Sequence, residues 1–254
     1  MSRVRVVEPY WEFWERSVPY DLRADRAAIG EAVRRALGAV LGDATWVAEG
    51  DDADVVLVLQ TMATPPAWTL PALGDLPVVI WAAHRTAMPA GFDHGAITTE
   101  GATVGAPMLT NVLVREGRPF ELVLGRVDDP AALGAVAAAL RAAAAGHRMR
   151  RARIGRVGRP LDGYAAVDTD DDLLRRRTGI ELVPIDPAEV LELYREVAPE
   201  RVAELERETR ERYDVEIQGD GLTRSLRVAC AIDDLVARHR LDAGAMNGHV
   251  PEIR

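Results

Sequence analysis

Asp54–Gln60 reads DVVLVLQ, and Pro77–Ala82 reads PVVIWA. Both runs are apolar at nearly every position rather than at alternate ones. A strand of that kind keeps no face for water, so both of its faces must be covered. The requirement points to a parallel sheet held between helices. Upstream, Val4–Glu8 (VRVVE) is a β-branched run halted at Pro9, and Thr45–Ala48 reads as a further strand. Between them, Leu22–Leu41 places apolar residues at helical spacing, with Asp21 or Asp25 near its start and Gly42 just past its end. Downstream comes Phe92–Gly125, FDHGAITTEGATVGAPMLTNVLVREGRPFELVLG. It reads as a polar loop, a helix of mixed character near Thr98–Glu116 and a buried strand, Phe120–Gly125. The helix opens among small residues, Gly101 to Gly105, that let other backbone come close. A helix over Asp129–Gly146 completes a βα alternation with right-handed crossovers.

Past the basic stretch His147–Arg159 (HRMRRARIGRVGR) the pattern restarts. Ala152–Val157 and Ile180–Ile185 read as strands, and Thr169–Thr178 and Pro187–Val197 as helices. Pro199–Tyr213 is a highly charged helix whose acids and arginines can pair at i,i+4. After Gly219 and Gly221 come the helix Leu222–Arg240 and a strand-like run, Leu241–Met246. The expected fold class is therefore α/β. It comprises two consecutive Rossmann-like or flavodoxin-like parallel-sheet domains, residues 1–150 and 151–254, the second expected to be incomplete at its carboxyl end.

Composition narrows the chemistry. The net charge of −9 disfavours a nucleic acid or an anionic membrane as partner. The chain has no lysine, so all 31 basic residues are arginine, and none of its side chains can form a Schiff base or act as a P-loop lysine. A single cysteine, Cys230, excludes an internal disulfide and falls in the apolar helical pattern LRVACAIDDLV, as a buried structural thiol would. The opening residues alternate like a strand and lack a signal-peptide core, and no apolar run approaches membrane length. A cytoplasmic protein is the expectation.

Candidate site residues follow from strand ends, where an open α/β sheet builds its binding crevice. Glu8, Tyr10 and Trp11, in the run EPYWEFWE, leave the first strand. Carboxylates with aromatics suit sugar recognition, since rings cover C–H faces and acids accept from hydroxyls. Core or subunit-interface anchoring explains the tryptophans equally well. Gln60, with Thr61, ends another strand, and Trp68 follows in the proline-bearing segment Thr64–Pro71. His94 lies in the glycine-studded loop beyond His84, while Glu100 and Thr103 suit a helix start. GRVG at Gly155–Gly158 is only a fragment of a dinucleotide loop. The acids Asp168, Asp170, Asp171 and Asp172 precede a helix and are expected to cap it. Asn247, His249 and Glu252 follow LDAGAM at another strand's carboxyl end.

Four strings in order, QTMATPP, DHGAITTEGATVGAPMLTNVLVREG, RIGRVGRPLDGYAAVD and LDAGAMNGHVPEIR, resemble the L-fucose/L-arabinose isomerase family, on the side of its fucose-isomerase-like members. The resemblance covers the whole chain and is to the amino-terminal portion of that family. It implies a multi-domain, oligomeric ketol isomerase using Mn²⁺, which interconverts an aldose and a ketose through an enediol. In the family the metal-binding carboxylates and histidine lie further along than the region matched here. The resemblance therefore implies no metal ligand and no catalytic acid or base in this chain. It implies instead a monosaccharide contact, with His94 and Trp68 similar to pocket residues, and a homo-oligomer or a partner chain that supplies the remaining region. A non-catalytic carbohydrate-binding or regulatory protein on the same domains is the alternative, and a nucleotide-dependent oxidoreductase has only GRVG behind it.

Overall fold

The structure, a computed structural model, describes residues 2–84, 101–160, 163, 169–217 and 219–248. The chain divides into two compact units, Met1–Arg148 and Met149–Arg254. Among the described residues no helix is long and apolar enough to cross a membrane.

In the first unit, β1 (Arg3–Val7), β2 (Thr45–Val47), β3 (Val55–Gln60), β4 (Val78–His84) and β5 (Phe120–Arg126) form one parallel sheet in the order β2-β1-β3-β4-β5. β3 is buried at all six positions, as an apolar run at the sheet centre must be, whereas β5, read from sequence as buried, ends the strand order and leaves Leu122 and Leu124 exposed. Register divides its residues between two layers, with Leu57 opposite Val79 and Val58 opposite Ile80. On one face Val4, Leu57, Val79 and Trp81 pack with α1 (Leu22–Leu41) and α4 (Pro130–Met149). On the other Val56, Val58 and Ile80 pack with α2 (Pro66–Leu73) and α3 (Ala102–Arg115). Each fully buried Leu or Val adds about 1.5–3 kcal/mol of transfer free energy. The sheet is doubly wound, with the flavodoxin-like strand order.

Local chemistry sets the helix ends. Asp21 accepts from the Ala24 amide at 3.0 Å to start α1, and Gly42, at φ +70°, ends it. The proline-bearing segment Thr64–Pro71, to which the sequence reading assigned no element, is largely helical. Pro66 is in the first turn, where a missing N–H removes no helical bond, and Pro71 is in the interior without ending the helix. A 3₁₀ turn, Glu12–Ser17, was likewise not expected from sequence. α3 begins at Ala102 after Gly101, while Thr98–Glu100 are outside the described residues.

β2 and β3 lie on opposite sides of β1 and are joined by residues 48–54, with no helix between them. A parallel crossover usually takes a dozen or more residues and a helix. Here arginines of β1 hold the short path. Arg3 donates its amide to Asp54 Oδ2 at 2.7 Å, and Arg5 Nη2 donates to the Asp51 carbonyl at 2.6 Å. Arg5 Nη1 reaches the Ala72 carbonyl of α2 at 3.2 Å, so the crossover passes on the α2 face. That face of β1 and β2 is left without a crossover helix.

In the second unit β6 (Arg153–Val157), β7 (Glu181–Ile185) and β8 (Ala243–Met246) form a parallel sheet in the order β7-β6-β8. α5 (Asp171–Thr178) links β6 to β7, and α6 (Pro187–Glu196), α7 (Pro199–Arg212) and α8 (Gly221–His239) lead to β8. Val157, Ile185, Leu193, Val202, Leu235 and the buried Cys230 make the core. Asp170 caps α5 by accepting from the Leu173 amide at 2.8 Å, and Asp171 takes both terminal nitrogens of Arg156 at 2.8 and 2.9 Å. Asp168 lies outside the described residues. On α7 the pairs Glu206–Arg210 and Arg207–Glu211 form at i,i+4.

Candidate functional site

In the first sheet the strand order reverses direction between β1 and β3, and an open α/β sheet binds ligands at such a switch point. Two loops meet there. The loop after β1 carries Glu8, Pro9, Tyr10 and Trp11 into the 3₁₀ turn, and the loop after β3 runs from Thr61 to Pro65. The Trp11 amide donates to Met62 Sδ at 3.4 Å, and Trp14 Nε1 donates to the Ala63 carbonyl at 2.8 Å. The loops are therefore bound to each other.

Gln60 organises this junction from beneath. It is 1% exposed, and its amide donates to the Met62 carbonyl and to Thr64 Oγ1, the latter at 3.1 Å. Gly105 of α3 lies against the same groups; a Cβ there would stand 2.4 Å from the Met62 oxygen and 2.5 Å from Gln60 Nε2. The small residue near the start of the helix is thus required by a close approach, as the sequence led one to expect.

A cleft of about 310 Å³ opens on the α2 face, where the crossover helix is missing. Arg5, Val7, Glu8, Tyr10, Glu49, Trp68, Thr69 and Ala72 line it. Glu8 lies over Gly30 of α1 and is paired with Arg34, so its charge is already met. Tyr10 donates to Glu15 Oε1 at 2.7 Å, with the Arg23 guanidinium 4.6 Å above its ring. Burial first, then the Glu15 bond and charge, push the Tyr10 phenol up to about 12, so it stays protonated throughout the neutral range. Trp68 is 56% exposed, and its ring meets the edge of Trp11 at 5.6 Å. Trp11 also stacks on Phe13 at 4.9 Å and meets Trp14 at 5.4 Å. The aromatic run is thus a packed cluster whose exposed members are Phe13 and the Trp68 indole, the latter on the cleft side.

Of the residues singled out from sequence, Glu8, Tyr10 and Trp68 line the cleft, Trp11 buttresses it through Trp68, and Gln60 is buried under the loop after β3 rather than in the cleft wall. Asn247 lies in the second unit, at the carboxyl ends of β6 and β8. Its side chain donates to the Arg159 carbonyl at 2.8 Å and its amide to the Val157 carbonyl at 3.2 Å. His94, His249 and Glu252 fall outside the described residues. Sequence reasoning missed Arg5, Glu49 and Thr69. A signal for Arg5 existed: it interrupts a valine run in an interior strand, where a charge needs a purpose. Among the described residues no group of three or more His, Cys, Asp or Glu is arranged to hold a metal ion.

No family model matches the chain, and no curated protein matches it.

Proposed function

We propose that the first unit binds a monosaccharide in the β1/β3 cleft, as the sugar-recognition part of an aldose–ketose isomerase. The observation that carries the reading is the half-exposed Trp68 indole beside the Glu49 carboxylate and the Tyr10 phenol at the sheet's switch point. An indole face covers the C–H side of a pyranose, and carboxylate and phenol oxygens accept from its hydroxyls. The order of the four strings that resemble the fucose-isomerase-like family supports the finer assignment. Mn²⁺ does not fit the donors of this cleft: Glu8 is committed to Arg34, and among the described residues no group of three or more His, Cys, Asp or Glu is arranged to hold a metal ion. The chain's own part is to bind and orient the sugar, and the proton-transferring groups belong to the remainder of a complete enzyme, supplied by further sequence or a partner chain.

A second reading, carbohydrate binding without turnover, is favoured by one feature of the cleft. Neither of its polar residues at the β1 end is poised as a base, since Glu8 is ion-paired and Tyr10 titrates near 12. The two readings separate in a single experiment. The purified chain is titrated with a panel of aldoses and ketoses, and product is assayed with and without Mn²⁺. Saturable binding without conversion, and conversion once the missing region is supplied, supports the isomerase part. Binding with no conversion under either condition supports the non-catalytic protein, and no saturable binding contradicts both.

A further inference from the structure

Arg5 is in the middle of β1, between Val4 and Val6, and lines the cleft. Its Nη1 and Nη2 are held by the carbonyls of Ala72 and Asp51, and its Nε is sealed from solvent with no acceptor. Both acceptors are neutral. Neighbouring arginines are treated differently: Arg3 pairs with Asp52, and Arg34 with Glu8. Arg5 forms no ion pair with a described carboxylate. A guanidinium has a permanent charge and five N–H donors, of which two are used here. Arg5 is half-buried, and even partial withdrawal of that charge from bulk water is costly unless a counter-charge compensates. On the cleft wall Glu8 is already neutralised by Arg34, and Glu49 is an exposed residue of the 48–54 crossover.

We propose that the ligand of this cleft carries an oxyanion, a carboxylate or phosphate on the sugar, and that the Arg5 guanidinium receives it. The inference rests on the cleft being the sugar site and adds the substrate class. Two backbone carbonyls hold the guanidinium before any ligand arrives, so little side-chain entropy is lost on binding. Trp68 then packs on the carbon skeleton, and Glu49 accepts from hydroxyls away from the charged group.

The test is calorimetric titration of the intact chain with a neutral hexose, the matching hexuronic acid, the hexose phosphate and inorganic phosphate. At least one acidic sugar binds about ten-fold tighter than the neutral one, and the advantage shrinks as salt rises. Arg5→Gln abolishes the advantage. Because Arg5 also holds the crossover, its melting temperature is checked, and Glu49→Gln provides an independent arm. That exposed substitution leaves melting unchanged, weakens the neutral hexose by removing a hydroxyl acceptor, and spares the acidic sugars by also removing a like charge, so their advantage widens a few-fold. Equal binding of neutral and acidic sugars, indifferent to salt in the parent and in Glu49→Gln, overturns the role of Arg5 and leaves the sugar site standing. Inorganic phosphate held as tightly as the hexose phosphate keeps Arg5 as an anion receptor and removes the sugar. Binding of none of the four overturns both.

Discussion

The two faces of the first sheet are built from the same strands yet finished differently. On one, α1 and α4 lie over Val4, Leu57, Val79 and Trp81, and the layer is closed. On the other, α2 and α3 cover β3 and β4, while β1 and β2 have the 48–54 crossover and the flank of α2 in place of a crossover helix of their own. The first face shows how the chain obtains its stability. The second shows where it can spare some, because a missing crossover helix leaves an opening beside the switch point. Arginines of β1, rather than apolar packing, hold that opening in shape.

Substitutions on the two faces should accordingly separate stability from binding. Leu57→Ala, on the closed face, removes a side chain with no exposure and should lower unfolding free energy by about 4 kcal/mol in denaturant titrations. Gly105→Ala places a methyl group against the Met62 carbonyl and the Gln60 amide. The overpacking should cost about 3 kcal/mol by the same measurement, with disturbance reaching the junction of the two loops.

Asp54→Asn should cost less, roughly 1–3 kcal/mol at neutral pH, since the residue anchors the crossover through Arg3 and Arg148. Burial pushes the Asp54 carboxyl up, but bonds from Arg148 and the Arg3 amide outweigh it and leave the group below the usual aspartate range. A carboxylate lowered on folding stabilises at pH values above its unfolded pKa, and the contribution is lost as pH falls through the folded value. The gap between Asp54→Asn and the parent should therefore be full at pH 7 and narrow on the acid side of the aspartate range, as read from melting against pH. Trp68→Ala should change stability least, within about 0.5 kcal/mol for a half-exposed ring, while weakening sugar binding about ten-fold or more.

Much of this fold was legible in the chain because the signals are local. The all-apolar β3 and β4 demand two covered faces, and Asp21 and Gly42 bound α1 at its observed ends. The helix α2 was hidden by Pro65, Pro66 and Pro71, whose tolerance depends on their place in the turn rather than on their number. The candidate site was legible only in part. Glu8, Tyr10 and Trp68 could be found by asking which polar and aromatic residues follow a strand. Arg5 was marked by its charge within a valine run, but that it and Glu49 line one cleft follows from the path of a crossover joining β2 to β3 around β1, a long-range consequence of strand order. Gln60 shows the converse: its position at a strand end is right for ligand contact, yet its amide is turned to the loop that follows.

The five tryptophans offer the most direct examination of the cleft. Trp81 is fully buried and, with Trp46, belongs to the closed face, whereas Trp68 flanks the opening. In ¹⁵N-labelled protein titrated with a monosaccharide that binds, the Trp68 indole resonance should shift saturably while those of Trp81 and Trp46 remain still. A saturable titration in which Trp68 is silent and the resonances that move lie on the closed face or in the second unit would contradict the placement of the ligand beside β1.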